Sequence, residues 1–232
     1  MPLKVMSTLA VEVALKRSLL PSFTDATQIT PDVSWNTTTV IMQRIGDGAS
    51  ADAIILIDKS MDDLVKRGVV DPSTVRPIVT AKIGIAVAGD APAPRLDTVD
   101  DLKAALLSAR SVAYSRAGAS GIYFAGLIER LGIAEAINAK ATIIPEGFTA
   151  RQIVEGNADL AIQQISELMS VDGITIAGPL PDEVQVGTDF SVALFSDATN
   201  PTDAARLVMH LTSPDAVAAY EAAGLTSRLS FN

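Results

Sequence analysis

The chain has 232 residues, 48% of them hydrophobic and 19% charged, with a formal net charge of −9. That length holds one large domain or two small ones with real cores, and the acidic balance argues against a nucleic-acid surface while leaving room for an anion held by local donors and dipoles. With no cysteine and a single histidine, disulfides, thiolate catalysis and cysteine–metal sites are excluded, and neither a metal nor a cofactor is expected.

No apolar run approaches the roughly 20 residues of a membrane helix, so no direct membrane insertion is expected. No signal peptide is visible before the first strand. The expected location is cytoplasmic if Met1 is the native start and periplasmic if a leader has been removed.

Residues 3–6 read as a short apolar strand, followed by Ser7 and Thr8 and then a helix over 9–20 with Ala10, Val13 and Ala14 on one face, ended by Pro21. A second strand covers 32–35. The run Asn36-Thr37-Thr38-Thr39 then opens a helix through Ile41, Met42 and Ile45 that stops at Gly46 and Gly48. Residues 51–57 have the length and apolar character of a strand buried on both faces, and the helix around 61–66 ends at Gly68. Strand alternating with helix argues for a parallel sheet with helices packed on it.

The long Val/Ile/Ala-rich stretch over 75–87, interrupted by Gly84, is able to bridge two domains. Thr98 caps a helix through Leu102 and Leu106, with Asp101 at the capping-box position. The segment from Ser111 to Phe124 then reads as a strand, a small-residue turn and a helix start, with Ser120 as the expected N-cap. A helix start carries unpaired N–H donors and partial positive charge, and Ala117, Gly118, Ala119 and Gly121 keep side chains away from them. Arg116 adds a forked positive charge. Strands follow at 141–144, 160–164 and 174–177, the apolar run 188–195 crosses back, and Pro201 and Pro214 stand at the first helical position of two closing helices. Two lobes result: 1–82 with 190–232 as the discontinuous first, 83–189 as the second, and a ligand cleft between them at strand ends and helix starts.

Several strand-to-helix turns share one chemistry: Ser7 and Thr8, then Thr37 and Thr38, then Ser115, Arg116, Ser120 and Gly121, then Gly147, Phe148 and Thr149, with Gln164 facing them after the last strand of the second lobe. Hydroxyls, amides and backbone N–H groups satisfy an anion's lone pairs while adding little charge of their own.

The order of these segments resembles the type II periplasmic-binding-protein family, in particular the bacterial molybdate receptors. The likeness runs through Leu3 to Ala10, Ala51 to Val70, Ser120 to Ile133, Glu155 to Ala161 and Leu211 to Gly224. It implies two lobes, each a mixed, mostly parallel sheet flanked by helices, closing by hinge motion on a small anionic ligand, with an ABC transporter permease as partner. Carried over, the family's anion contacts fall on Ser7, Thr37 or Thr38, Ser120, the Gly147–Phe148 backbone and Gln164. Gln164 stands where a tyrosine is expected, and Arg116 is an added charge that suits an organic carboxylate.

The run Gln163 to Leu168, with Gly178-Pro179-Leu180-Pro181 after it, is similar to a branch that includes aconitate isomerase. An enzyme of that kind shifts a double bond in a tricarboxylate and needs a base and an acid, for which Glu146, Glu167 and Tyr114 are the candidates. A cytoplasmic ligand sensor is the third reading, weakened by the lack of a DNA-binding helix pair. His210 is expected to have a structural or surface role.

Overall fold

A computed structural model describes residues 2–231. The chain divides into two compact units, residues 1–81 with 188–232 and residues 82–187. Each is mixed α/β, with a mostly parallel sheet flanked by helices.

In the first unit, β1 (Lys4–Thr8) pairs in parallel with β2 (Asp32–Asn36) on one side and β3 (Ala53–Ile57) on the other. The chain between β1 and β2 is a composite helix. A 3-10 turn over Leu9–Val11 runs into α1 (Glu12–Ala14), a π-helical segment over Leu15–Leu19 and α2 (Leu20–Thr27). Pro21 therefore does not end the helix as expected. It sits in the first turn of α2, just after the π segment, where a change of hydrogen-bond register absorbs a missing donor. The helix stops at Gln28, which adopts φ 59°.

Helices α3 (Thr38–Gly46) and α4 (Asp58–Lys66) follow β2 and β3. The expectation of a two-faced strand is met in β3: Ala53 and Ile55 join one apolar cluster, while Ile54 and Leu56 join another on the opposite face. Burying each of these isoleucine and leucine side chains stabilises by about 1.5–3 kcal/mol.

Strand β4 (Arg76–Ala88) carries the chain out of the first unit, and it returns within β9 (Gly187–Leu194), which lies antiparallel to β3. Helices α10 (Pro201–Leu211) and α11 (Pro214–Ala222) both begin at proline as predicted, and β10 (Leu225–Ser227) pairs with the first half of β4. Asp52 ties this unit together. Its carboxylate accepts from the Lys4 and Asn200 N–H groups at 2.8 and 2.7 Å and from the Thr199 hydroxyl at 3.0 Å. Burial alone would raise its pKa, but these donors outweigh burial and hold it below the ordinary value. His210 is structural here, its Nε2 within 2.9 Å of the Ser22 hydroxyl and 3.0 Å of the Leu19 carbonyl.

In the second unit the sheet order is β4–β7–β5–β6, built from β5 (Val112–Ser115), β6 (Ala141–Ile144) and β7 (Leu160–Gln164). β5 is parallel to both β6 and β7, and β8 (Ile174–Pro179) lies antiparallel to β4. Helices α5 (Val99–Ser108), α6 (Ala119–Arg130), α7 (Ala134–Asn138), α8 (Arg151–Val154) and α9 (Ile165–Leu168) connect these strands. The capping box of Thr98 and Asp101 is present as the sequence predicts. Phe124, Leu127 and Ile128 of α6 enter the core around Tyr114 and Leu160. Among the described residues, no helix is long and apolar enough to cross a membrane.

Candidate functional site

In the first unit the register places Ser7 beside Trp35 and Thr8 beside Asn36. Since β1 and β2 are parallel, the turns that leave their carboxyl ends lie side by side, which gathers Ser7, Thr8, Thr37 and Thr38 at one edge. Thr37 caps α3, its Oγ1 accepting the Val40 N–H at 3.4 Å, so its hydroxyl proton stays available as a donor. The Ser7 hydroxyl donates to the Thr8 carbonyl at 3.2 Å. The Thr8 hydroxyl is buried and has no partner among the described residues. Glu12, one turn further on, has one oxygen paired with Lys16 and the other buried without a partner.

In the second unit, parallel pairing puts the turns after β5, β6 and β7 at one end of the sheet. The turn after β5 differs from expectation at one point. Gly118, not Ser120, is the N-cap of α6, and Ala119 is the first helical residue. A glycine at the cap leaves the space beside the Ser115 hydroxyl open, because a Cβ on Gly118 would lie 2.7 Å from that oxygen. Gly121 is needed more strictly: a Cβ there would lie 1.8 Å from the Ser115 carbonyl oxygen. The two glycines thus let the first turn of α6 close over the end of β5. The Ser115 hydroxyl is buried there with no partner among the described residues. The first-turn N–H groups of a helix have no intrahelical acceptors, so donors and an unpartnered hydroxyl meet at this turn. Ser120 is buried on the same turn, while Arg116 is exposed.

The turn after β6 is built differently. Thr149 is fully buried, and its hydroxyl contacts Gln163 Oε1 at 3.0 Å and the Ile162 carbonyl at 3.2 Å. Its N–H donates to the same Gln163 oxygen at 2.8 Å, and Gln163 Nε2 donates to the Gly147 carbonyl at 2.9 Å. Gly147 holds φ 96°, and Phe148 lies under the Arg151 guanidinium at 5.5 Å. Here the Thr149 side chain and the Gly147 carbonyl are both engaged in bracing the turn.

After β7, the buried side chain of Gln164 precedes α9. The unpartnered group lies two residues further on, at the fully buried Ser166 hydroxyl. Sequence inspection puts the weight on Gln164; the cue for Ser166 was its position in the run Gln163 to Leu168. Glu12 gave no cue beyond its spacing of four from Thr8. Of the acid–base candidates, Glu146 is exposed, Glu167 is half-buried in α9, and the Tyr114 hydroxyl donates to Asn138 Oδ1 at 2.8 Å. Burial pushes the Tyr114 phenol above its ordinary pKa, against a lowering pull from Arg116. No group of acidic or histidine residues able to hold a metal occurs among the described residues.

Residues 3–226 match the sequence pattern of the family described as bacterial extracellular solute-binding protein. The chain belongs to that family. A curated relative, the aconitate isomerase of a Pseudomonas species, is 33% identical over 215 residues, spanning 90% of this chain and 82% of the relative. Among solved structures, the periplasmic molybdate-binding protein of Azotobacter vinelandii superposes with a TM-score of 0.79 at 19% identity, covering 97% of this chain and 98% of the other. The sulfate-binding protein SubI of Mycobacterium tuberculosis gives 0.75 at 15% identity, covering 98% and 87%. These structural likenesses establish the fold that this chain shares with the two proteins.

Proposed function

We propose that this chain binds a small oxyanion or organic carboxylate at the turns that follow its parallel strands. The observation that carries the reading is that the unpartnered buried hydroxyls among the described residues, those of Thr8, Ser115 and Ser166, all lie at strand-to-helix junctions, after β1, β5 and β7 respectively. A buried hydroxyl without a partner costs about 1–3 kcal/mol. In each unit, such a group at the end of a parallel strand is accounted for by an anion that supplies its acceptor. The proposed donors are Ser7, Thr8, Thr37 and Thr38 in the first unit. In the second they are Ser115, Arg116, Ser120 and Gly121, the Gly147–Phe148 backbone, Gln164 and Ser166. Neutral donors of this kind suit an anion, and Arg116 favours a carboxylate that takes its fork. An ABC transporter permease is the partner this reading implies.

The test is a thermal-shift screen of molybdate, tungstate, sulfate, phosphate and di- and tricarboxylates, followed by calorimetry on those that raise Tm. Stabilisation by at least one anion, weakened in Ser115→Ala, is the expected result; no stabilisation by any of them overturns the reading.

A second reading is favoured by one observation, the 33% identity to a curated aconitate isomerase. On that reading the same donors hold a tricarboxylate while a base removes an allylic proton and an acid returns one. Ultraviolet spectra of the protein with cis- or trans-aconitate decide it: interconversion establishes the enzyme, and binding without turnover leaves a receptor.

A further inference from the structure

Beside the turn after β5 the second unit has a cavity of about 340 Å³. It shares Ser115 and Gly121 with the helix start described above. Its apolar lining is Ile122 and Ala125 of α6 and Ile143 of β6. Its polar lining includes Tyr114, Arg116 and Asn138. A tetrahedral oxyanion has no carbon skeleton to place against Ile122 and Ala125. An organic acid has one.

The orientation of the Asn138 amide follows from its neighbour. The Tyr114 phenol is mostly buried and packs edge-on against Phe124, with ring centroids 5.2 Å apart. As a neutral phenol it is a donor, and it donates to Asn138 Oδ1 at 2.8 Å. An amide whose oxygen is held this way turns its nitrogen, with two N–H donors, the other way. The polar lining of the cavity thus includes a guanidinium fork and an amide nitrogen, both donors. A carboxylate accepts from such donors.

We propose that this cavity is a second anion subsite, so that the ligand is an organic acid with at least two carboxylates. One carboxylate lies at the start of α6 and the other at Arg116 and Asn138, with the carbon skeleton against Ile122 and Ala125. Tyr114 is a positioning residue that fixes the Asn138 amide. The assignment rests on the anion-binding reading above and narrows its ligand class.

The test is calorimetry with two probes, tricarballylate, which carries several carboxylates and cannot isomerise, and sulfate, which carries one compact charge. Asn138→Asp keeps an acceptor for Tyr114 and places a negative charge at the subsite. It is expected to weaken tricarballylate by about tenfold or more and to change sulfate by less than about twofold, and Arg116→Ala is expected to weaken tricarballylate by a similar factor. Tyr114→Phe is expected to weaken tricarballylate several-fold, again without effect on sulfate. Unchanged tricarballylate affinity in Asn138→Asp, or parallel losses for both probes, overturns the assignment. A wild-type chain that binds sulfate but not tricarballylate also overturns it and leaves the anion reading standing. Wild-type protein stabilised by no anion of the screen removes both.

Discussion

The turns after β5 and β6 are neighbours at one end of the second unit's sheet, and both read in the sequence as small, hydroxyl-bearing ligand turns. Their hydrogen-bond states differ. The Ser115 hydroxyl is buried with no partner, whereas the Thr149 hydroxyl and N–H are both engaged with Gln163 and Ile162. A hydroxyl after a strand is therefore not by itself a ligand contact. What separates a binding turn from a bracing turn is whether its polar groups already have partners, because a satisfied buried group gains little from a guest and an unsatisfied one gains the whole hydrogen bond.

The strongest way to break the turn after β5 is Gly121→Ala. With a Cβ placed 1.8 Å from the Ser115 carbonyl, the helix start must move off the strand end. Loss of about 3 kcal/mol or more in chemical denaturation, together with loss of anion binding, is expected. A variant as stable as the wild type would show that α6 does not close on β5 as described.

Thr149→Val sharpens the contrast from the other side. It keeps the shape but strips Gln163 Oε1 and the Ile162 carbonyl of a donor, and should destabilise by about 1–3 kcal/mol while the folded protein keeps its ligand affinity. A loss of affinity without a loss of stability would make Thr149 a ligand contact.

Ser115→Ala should do the reverse. Removing an unpartnered hydroxyl leaves Tm unchanged or slightly raised, while the affinity for the bound anion falls by about 0.5–1.5 kcal/mol. If Ser115→Ala and Thr149→Val gave the same pattern, the distinction between the two turns would collapse.

The smallest effect concerns Asp52, a buried carboxylate that, like Thr149, is fully engaged. Its pKa is held below the ordinary value, so the stability it lends is complete above about pH 4 and fades as pH falls through the lower folded value. Tm measured from neutral to acid pH should show wild type and Asp52→Asn converging at the acid end. Curves that stay parallel would mean the donors around Asp52 do not favour its ionised form.

The sequence itself determined the local elements and their order. Apolar runs such as that ending in Ile57, the Thr98 capping box and the prolines opening α10 and α11 act within a turn or a strand, and the covalent chain carries them. Where a cue had a close local competitor it failed: Pro21 did not end its helix, and Gly118 took the cap expected of Ser120. The candidate turns were legible because strand, small residues and helix follow one another directly in the chain. Which of their hydroxyls lack partners was not, since the partners come from residues distant in sequence. Gln163 reaches Thr149 across 14 positions and Asn138 reaches Tyr114 across 24. Only the packed sheet brings such groups within hydrogen-bond range, so only tertiary structure decides which polar atoms are left for a guest.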